Sequence, residues 1–143
     1  MKHLLNYDLI DLLSERHYKL REKLEVTWNE LSDIHISNTE WYILSKIDQH
    51  GRPPISTITK HINISRQAIH KQVKNLATKG LIEIRNVEYN KKAKCLVFTG
   101  QGEECYKKYE QLKMEFEEKI AEEIGRENLE ILKNVLSKDW GIE

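Results

Sequence analysis

Apolar side chains recur in two rhythms along the chain, and the change from one to the other outlines the fold. Between residues 4 and 31, Leu5, Leu9, Leu12, Leu13, Leu20, Leu24, Trp28 and Leu31 follow mostly at gaps of three, four and seven. That spacing predicts one stripe of a long amphipathic helix, with no Gly or Pro to break it. Ser37-Asn38-Thr39-Glu40 is a capping-box pattern just ahead of Trp41, Ile43, Leu44 and Ile47, so a second helix should begin there. His50-Gly51 should end it, because glycine takes the left-handed stop and Pro53-Pro54 forbids continuation. Ile55 reads as a short extended residue and Ser56 as the cap of a brief helix holding Ile58 and Ile62, with a tight turn at Asn63-Ile64. Ser65 then caps a longer helix with Ile69, Val73 and Leu76 at i, i+4 and i+7, closed by Lys79-Gly80.

From Leu81 the period shortens. Leu81-Ile82-Glu83-Ile84-Arg85 and Lys94-Cys95-Leu96-Val97-Phe98 read as two strands of a hairpin around a polar tip at 88–92. Thr99 should cap another long helix with Tyr106, Tyr109, Leu112, Phe116, Ile120 and Ile124 as its stripe and Gly125 as its stop. A last helix over about 127–138 presents Leu129, Leu132, Val135 and Leu136. The order is four helices, a hairpin and two helices, without internal repeats or linkers. The fold class is therefore mainly α with one small β-hairpin.

With 143 residues there is room for one domain, or for one compact lobe plus elements that pack on a second copy. The net charge of zero conceals a segregation. Residues 51–100 carry ten Lys/Arg against two acids, Glu83 and Glu88, a net of +8. Residues 1–50 carry six against nine, a net of −3, and residues 101–143 seven against twelve, a net of −5. A basic middle third between two acidic flanks points to a polyanionic partner for that third.

Other chemistries find less support. Asp8 and Asp11 interrupt the only apolar stretch near the start, at 4–13, so no signal peptide is expected there. The longest uncharged runs fall far short of a membrane span, and a cytoplasmic protein with no membrane partner is expected. Cys95 and Cys105 form neither a disulfide framework nor a zinc knuckle, and the six histidines, His17 and His35 among them, lack ligand spacing. The sequence has no phosphate loop, dinucleotide fingerprint or nucleophile elbow. No catalytic group, cofactor or metal is expected, and the chain does not read as an enzyme.

The informative stretch is 56–79 with the hairpin that follows. A short helix, a turn and a longer helix make a helix-turn-helix, whose second helix lies in the DNA major groove with one face in the core and the other bonding to bases. Ile69, Val73 and Leu76 form the core face; Arg66, Gln67, His70, Lys71 and Lys74 fall on a single opposite stripe. Arg can fork onto guanine and Gln onto adenine, while Lys serves phosphates or guanine. The helix start at Ser65 offers backbone N–H groups to a phosphate. At the hairpin tip, Asn90, Lys91 and Lys92 are candidates for a second DNA contact.

The run from Ile64 through Ser65-Arg66-Gln67 to Lys79-Gly80-Leu81-Ile82 resembles the recognition helix and the Leu-x-x-x-Gly-Leu-Ile exit of the MarR family of bacterial winged helix-turn-helix regulators. Phe98-Thr99-Gly100-Gln101-Gly102 is similar to that family's Leu-Thr-x-x-Gly motif opening the fifth helix. The resemblance extends over roughly residues 5–140. It implies a dimerisation helix at 1–36, a winged helix-turn-helix at 37–100 and dimerisation helices at 101–143, all in one compact subunit. It also implies a homodimer that binds pseudo-palindromic double-stranded DNA as a transcriptional regulator, with repression the expected sign. Release by a small-molecule effector is a further expectation, through a change in the angle between dimer helices and wings; its identity and its binding residues are unknown.

The sequence departs from the family at the wing, where the usual Asp-x-Arg is replaced by Asn90-Lys91-Lys92. Lysine keeps the charge but loses the flat fork that suits a narrow minor groove, which weakens the case for A·T preference there. In the helix, His70 and Lys71 replace the usual Ser/Thr and Arg. Trp28, Trp41, Tyr18 and Tyr42 are more simply core aromatics than the lining of an effector pocket. Cys95 should be buried, Cys105 partly exposed and without an assigned role; the family's redox sensors carry a cysteine on the first helix, where this chain has none. The acidic run at 115–123 reads as a solvated helix face that would keep DNA away. One alternative stays open: a winged-helix module that docks protein or RNA without sequence-specific DNA binding.

Overall fold

A computed structural model describes residues 6–60, 64–87 and 90–142, apart from the side chains of 90–92. It contains six helices and one hairpin among these residues: α1 (Leu9–Leu31), α2 (Asn38–His50), α3 (Ile55–Thr59), α4 (Arg66–Thr78), β1 (Ile82–Val87), β2 (Asn90–Phe98), α5 (Gly100–Ile124) and α6 (Arg126–Ser137). The mainly helical fold with one hairpin is the class expected. The chain divides into two compact units, Met1–Lys107 and Lys108–Glu143, and the division falls within α5.

Helix ends in the first unit follow local chemistry. The Ser37 hydroxyl accepts the Glu40 amide at 3.2 Å while the Glu40 carboxylate accepts the Ser37 amide at 3.0 Å, so the capping box forms at the start of α2. The Ser65 hydroxyl accepts the Ala68 amide at 3.1 Å and starts α4. Gly51 and Gly80 take positive φ, 78° and 80°, where the expected stops lie.

Two starts differ from expectation. The first helix begins at Leu9 and not near residue 4, because the Asp8 carboxylate accepts the Asp11 amide at 2.8 Å and acts as its cap; Leu5 lies outside the described residues. The third helix begins at Ile55, with Pro54 at the cap position and Ser56 inside it. The cause is tertiary. Pro54 bridges to Cys95, and the Pro53 carbonyl accepts the Leu96 amide at 3.0 Å, so the chain is already held against β2 and turns helical at once. Ile62 and Asn63 also lie outside the described residues.

The core of this unit gathers Trp28, Ile36, Trp41, Ile43, Leu44, Ile47, Ile58, Ile69, Val73, Leu76, Leu81 and Leu96. Trp28 meets Trp41 edge to face with centroids 5.0 Å apart, and Trp41 in turn lies 6.5 Å from Tyr106. The Trp28 indole N–H donates to the Ile34 carbonyl at 2.9 Å. These two tryptophans are core, as the simpler expectation had it. On α1 only Leu24 and Trp28 of the long stripe are buried, whereas Leu9, Leu20 and Leu31 are exposed.

The hairpin is longer than expected. It pairs Ile82 with Phe98 and runs out to Val87 opposite Asn90, with a register irregularity at Asn86/Val87. Asn90, Lys91 and Lys92 therefore lie on β2 and not on a tip beyond it. Its two feet are stitched together: the Thr99 amide donates to the Leu81 carbonyl at 3.1 Å, the Thr99 hydroxyl donates to the Gly80 carbonyl at 2.7 Å, and the Gly102 amide donates to that hydroxyl at 2.9 Å. Thr99 thus caps α5, as expected. Cys95 is buried as expected; Cys105, expected partly exposed, is buried too, because it falls on the core side of α5 beside Tyr106.

The second unit holds the rest of α5, the Gly125 turn at φ 96° and α6. Arg126 pairs with Glu118 at 2.6 Å and Lys133 with Glu117 at 3.2 Å, which ties part of the acidic run into surface ion pairs. Leu129 is buried, but Ile131, Leu132, Val135 and Leu136 are exposed.

One buried charge stands out in the first unit. Glu40 is 3% exposed and pairs with Lys79, just past α4, at 2.7 Å. Lys79→Met is expected to lower stability by about 1–2 kcal/mol, since it strands a carboxylate out of water while Lys79 itself is only partly buried. Urea denaturation of both proteins checks this.

Candidate nucleic-acid interface

The second helix of the helix-turn-helix is α4, and its amphipathicity is complete. Ile69, Val73 and Leu76 are buried to within 1%. Arg66, Gln67, His70, Lys71 and Lys74 are all exposed. Burial of three aliphatic side chains, each contributing about 1.5–3 kcal/mol, fixes which face is presented. The polar stripe is therefore held outward by the core and does not depend on its own contacts. Ser65 caps the helix end with its hydroxyl, leaving the amides of Arg66 and Gln67 without an intrahelical acceptor, as the first turn of any helix does.

Surface shape brings these residues together. Gln67, His70, Lys71, Lys74 and Asn75 line one open hollow. A second hollow runs from α3 to β2, lined by Ser56, Thr59, Arg66, His70 and Lys94 with Pro54, Ile55 and Ala93. His70 borders both. Arg66, Gln67, His70, Lys71 and Lys74 thus share one surface, with Ser65 exposed at the helix start beside it. Of the expected wing residues, Asn90, Lys91 and Lys92 have backbone positions on β2, but their side chains lie outside the described residues.

Four further polar residues join this surface that the sequence reading did not name as candidate contacts. Asn75 follows Lys71 by four, so the helical period was signal enough. Lys94 is exposed on β2, and its ammonium donates to Asn86 across the hairpin. Ser56 and Thr59 lie on α3, where the mistaken reading of the helix start obscured their face.

The basic middle third is not uniformly available. Lys79 is committed to Glu40, and Arg85 gives two bonds, of 2.9 and 2.7 Å, to one oxygen of Glu83. Arg66, Lys71, Lys74 and Lys94 border the hollows instead. Among the described residues no acid lines either one, so their charges there are all of one sign.

Other candidate chemistry does not assemble. Among the described residues no group of three His, Cys, Asp or Glu is gathered for a metal, and no helix is long and apolar enough to cross a membrane. Tyr18 is exposed. Tyr42 is half-buried, with Lys46 5.2 Å from its ring centroid, and burial pushes its phenol pKa up.

Comparison with known proteins agrees with this geometry. The MarR family model matches residues 36–94, the span from the end of the α1–α2 connector into β2. Apo MarR from E. coli is similar in structure at a TM-score of 0.78 and 16% identity, covering 91% of this chain and 95% of its own. Streptococcus pneumoniae FabT, solved in complex with DNA, gives a TM-score of 0.76 at 19% identity, with 90% of each chain covered. A MarR/EmrR family transcriptional regulator from Acinetobacter sp. ADP1 gives 0.67 at 23%, covering 89% of this chain and 90% of that one. No curated protein sequence matches the chain. At these identities the structures establish the fold. The MarR family model thus matches the central part of the chain, residues 36–94, and the fold is shared with these solved proteins over about nine-tenths of it.

Proposed function

We propose that this chain is a DNA-binding transcriptional regulator, acting in the cytoplasm as a homodimeric repressor on pseudo-palindromic duplex DNA. One observation carries the reading: five side chains able to bond bases and phosphates stand on the exposed face of a helix whose other face is locked in the core. In this reading α4 enters the major groove. Arg66 and Gln67, nearest its N-terminus, bond to base edges, and Ser65 with the first amides meets a phosphate. Lys71, Lys74 and Lys94 add phosphate contacts. Asn90, Lys91 and Lys92 reach the neighbouring backbone from the wing. The DNA-bound FabT structure supports the choice of polyanion.

Two copies are needed for half-sites one helical turn, ~34 Å, apart. Support for pairing comes from the apolar residues each unit leaves in water: Leu9, Ile10 and Leu31 on α1, and Ile131, Leu132, Val135 and Leu136 on α6. Exposed apolar surface on this scale calls for a partner. Sedimentation should give twice 17.0 kDa at micromolar concentration, and a folded monomer would overturn this part. An effector would act by favouring one separation of the two recognition helices over another.

The wing contributes charge and not sequence choice. Lys91→Ala with Lys92→Ala is expected to weaken binding to all duplexes alike and to lower the slope of log K against log salt by about 1–2. Fluorescence anisotropy across a salt series checks it; a loss confined to one sequence would contradict the assignment. The reading as a whole is tested by selection from random duplex DNA.

A further inference from the structure

Every donor of the Lys79 ammonium is in use. It gives one bond to the His35 carbonyl at 2.6 Å and one to each Glu40 oxygen, at 2.8 and 2.7 Å. Glu40 also accepts the Ser37 amide. The cation at the end of α4 thus ties down two neighbouring pieces of chain about forty residues away: the α1–α2 connector and the first turn of α2. The connector is itself held to α1, through the Trp28 indole on the Ile34 carbonyl and the Ile36 amide on the Asn29 side chain at 3.2 Å.

Stability alone does not account for such an arrangement. A buried ion pair often contributes no more than apolar side chains of the same volume, because desolvation offsets the attraction. What it adds is direction. Other anchors of α4 are Ile69, Val73 and Leu76, whose contacts tolerate small rotations, and the Thr99 hydroxyl on the Gly80 carbonyl just past its end, which holds the backbone there but not the direction of the helix axis; the Ser65 cap is local to the far end. A helix of 13 residues is about 20 Å long, so a tilt of about 5° about one end moves the other by nearly 2 Å. Displacement of that size breaks hydrogen bonds to bases while leaving long-range attraction to phosphates intact.

We infer that Lys79 and Glu40 are a positioning pair that fixes the tilt of α4, so that Arg66 and Gln67 at its opposite end meet base edges in register. The inference rests on the DNA reading above. It separates two properties of the protein: the cations set how tightly any duplex is held, and the buried pair sets how well one sequence is told from another.

The test is the double variant Glu40→Gln with Lys79→Met, which removes both charges but keeps an N3 side chain able to complete the capping box. Its melting midpoint should lie within about 4 °C of the parent, and above that of Lys79→Met alone. The ratio of affinities for a selected duplex and a random one should fall roughly tenfold, with binding to the random duplex and its salt dependence unchanged. An unchanged ratio would overturn the inference and assign the pair to folding alone. Should the double variant not fold, Lys79→Gln is measured in the same way; a drop of roughly threefold supports the role and an unchanged ratio overturns it. A parent protein that selects no sequence overturns the DNA reading and this inference together. Equal selection by parent and variant overturns only the second.

Discussion

Gly102→Ala is expected to lower folding stability by about 3 kcal/mol and the melting midpoint by roughly 6–12 °C. A β-carbon at this position would sit 1.9 Å from the Leu81 carbonyl oxygen, 2.9 Å from its carbon and 3.1 Å from the Phe98 ring. The obstacle is backbone, so no side-chain rotation relieves it. Nor can Leu81 retreat without cost, because its carbonyl accepts the Thr99 amide, while Thr99 in turn bonds the Gly80 carbonyl and the Gly102 amide. Glycine is needed here for close approach, where the first turn of α5 crosses the foot of β1. The same displacement would splay the hairpin, so DNA affinity should fall with stability. Gly100→Ala is the control. Its β-carbon meets nothing within 4 Å, and its midpoint should stay within about 2 °C of the parent. Thermal unfolding of both variants decides; a Gly102→Ala protein that melts with the parent would contradict the packing described.

The second large effect concerns sequence choice. Arg66→Ala and Gln67→Ala are each expected to cost about 1–3 kcal/mol at the preferred duplex, and much less at a random one. Both side chains are exposed and neither contributes to the core, so folding should be unaffected, within about 0.5 kcal/mol. Titration of parent and variants on matched and scrambled duplexes separates the two effects. Equal losses on both would mean that these residues only hold phosphates. No loss on either would remove α4 from the groove.

Features that depend on neighbouring residues were legible in the sequence. Ser37 with Glu40, Ser65, and the stops at Gly51, Gly80 and Gly125 are all local devices, and each appears where the residues placed it. The core face of α4 was legible for the same reason, since Ile69, Val73 and Leu76 obey the helical period. What escaped depends on partners far along the chain. Pro54 displaced Ser56 as the start of α3 because it pairs with Cys95, some forty residues on. Asp8 looked like an interruption of an apolar stretch and is a cap, a role that requires the helix to start one residue later. Lys79 counted toward a basic surface until its pairing with Glu40, 39 residues away, withdrew it. Charge totals by segment therefore overstated how many cations are free to meet a polyanion. Cys105 was misplaced because a helical period alone does not show how far a core reaches around α5.

The most direct measurement is selection of bound duplexes from a random pool by the intact protein, followed by anisotropy on the winner at several salt concentrations. A two-fold symmetric motif with half-sites about one helical turn apart is expected, bound at least roughly a thousandfold more tightly than random duplex. Enrichment of no motif, or tight binding insensitive to duplex sequence, would contradict the assignment of α4 as a reader of DNA.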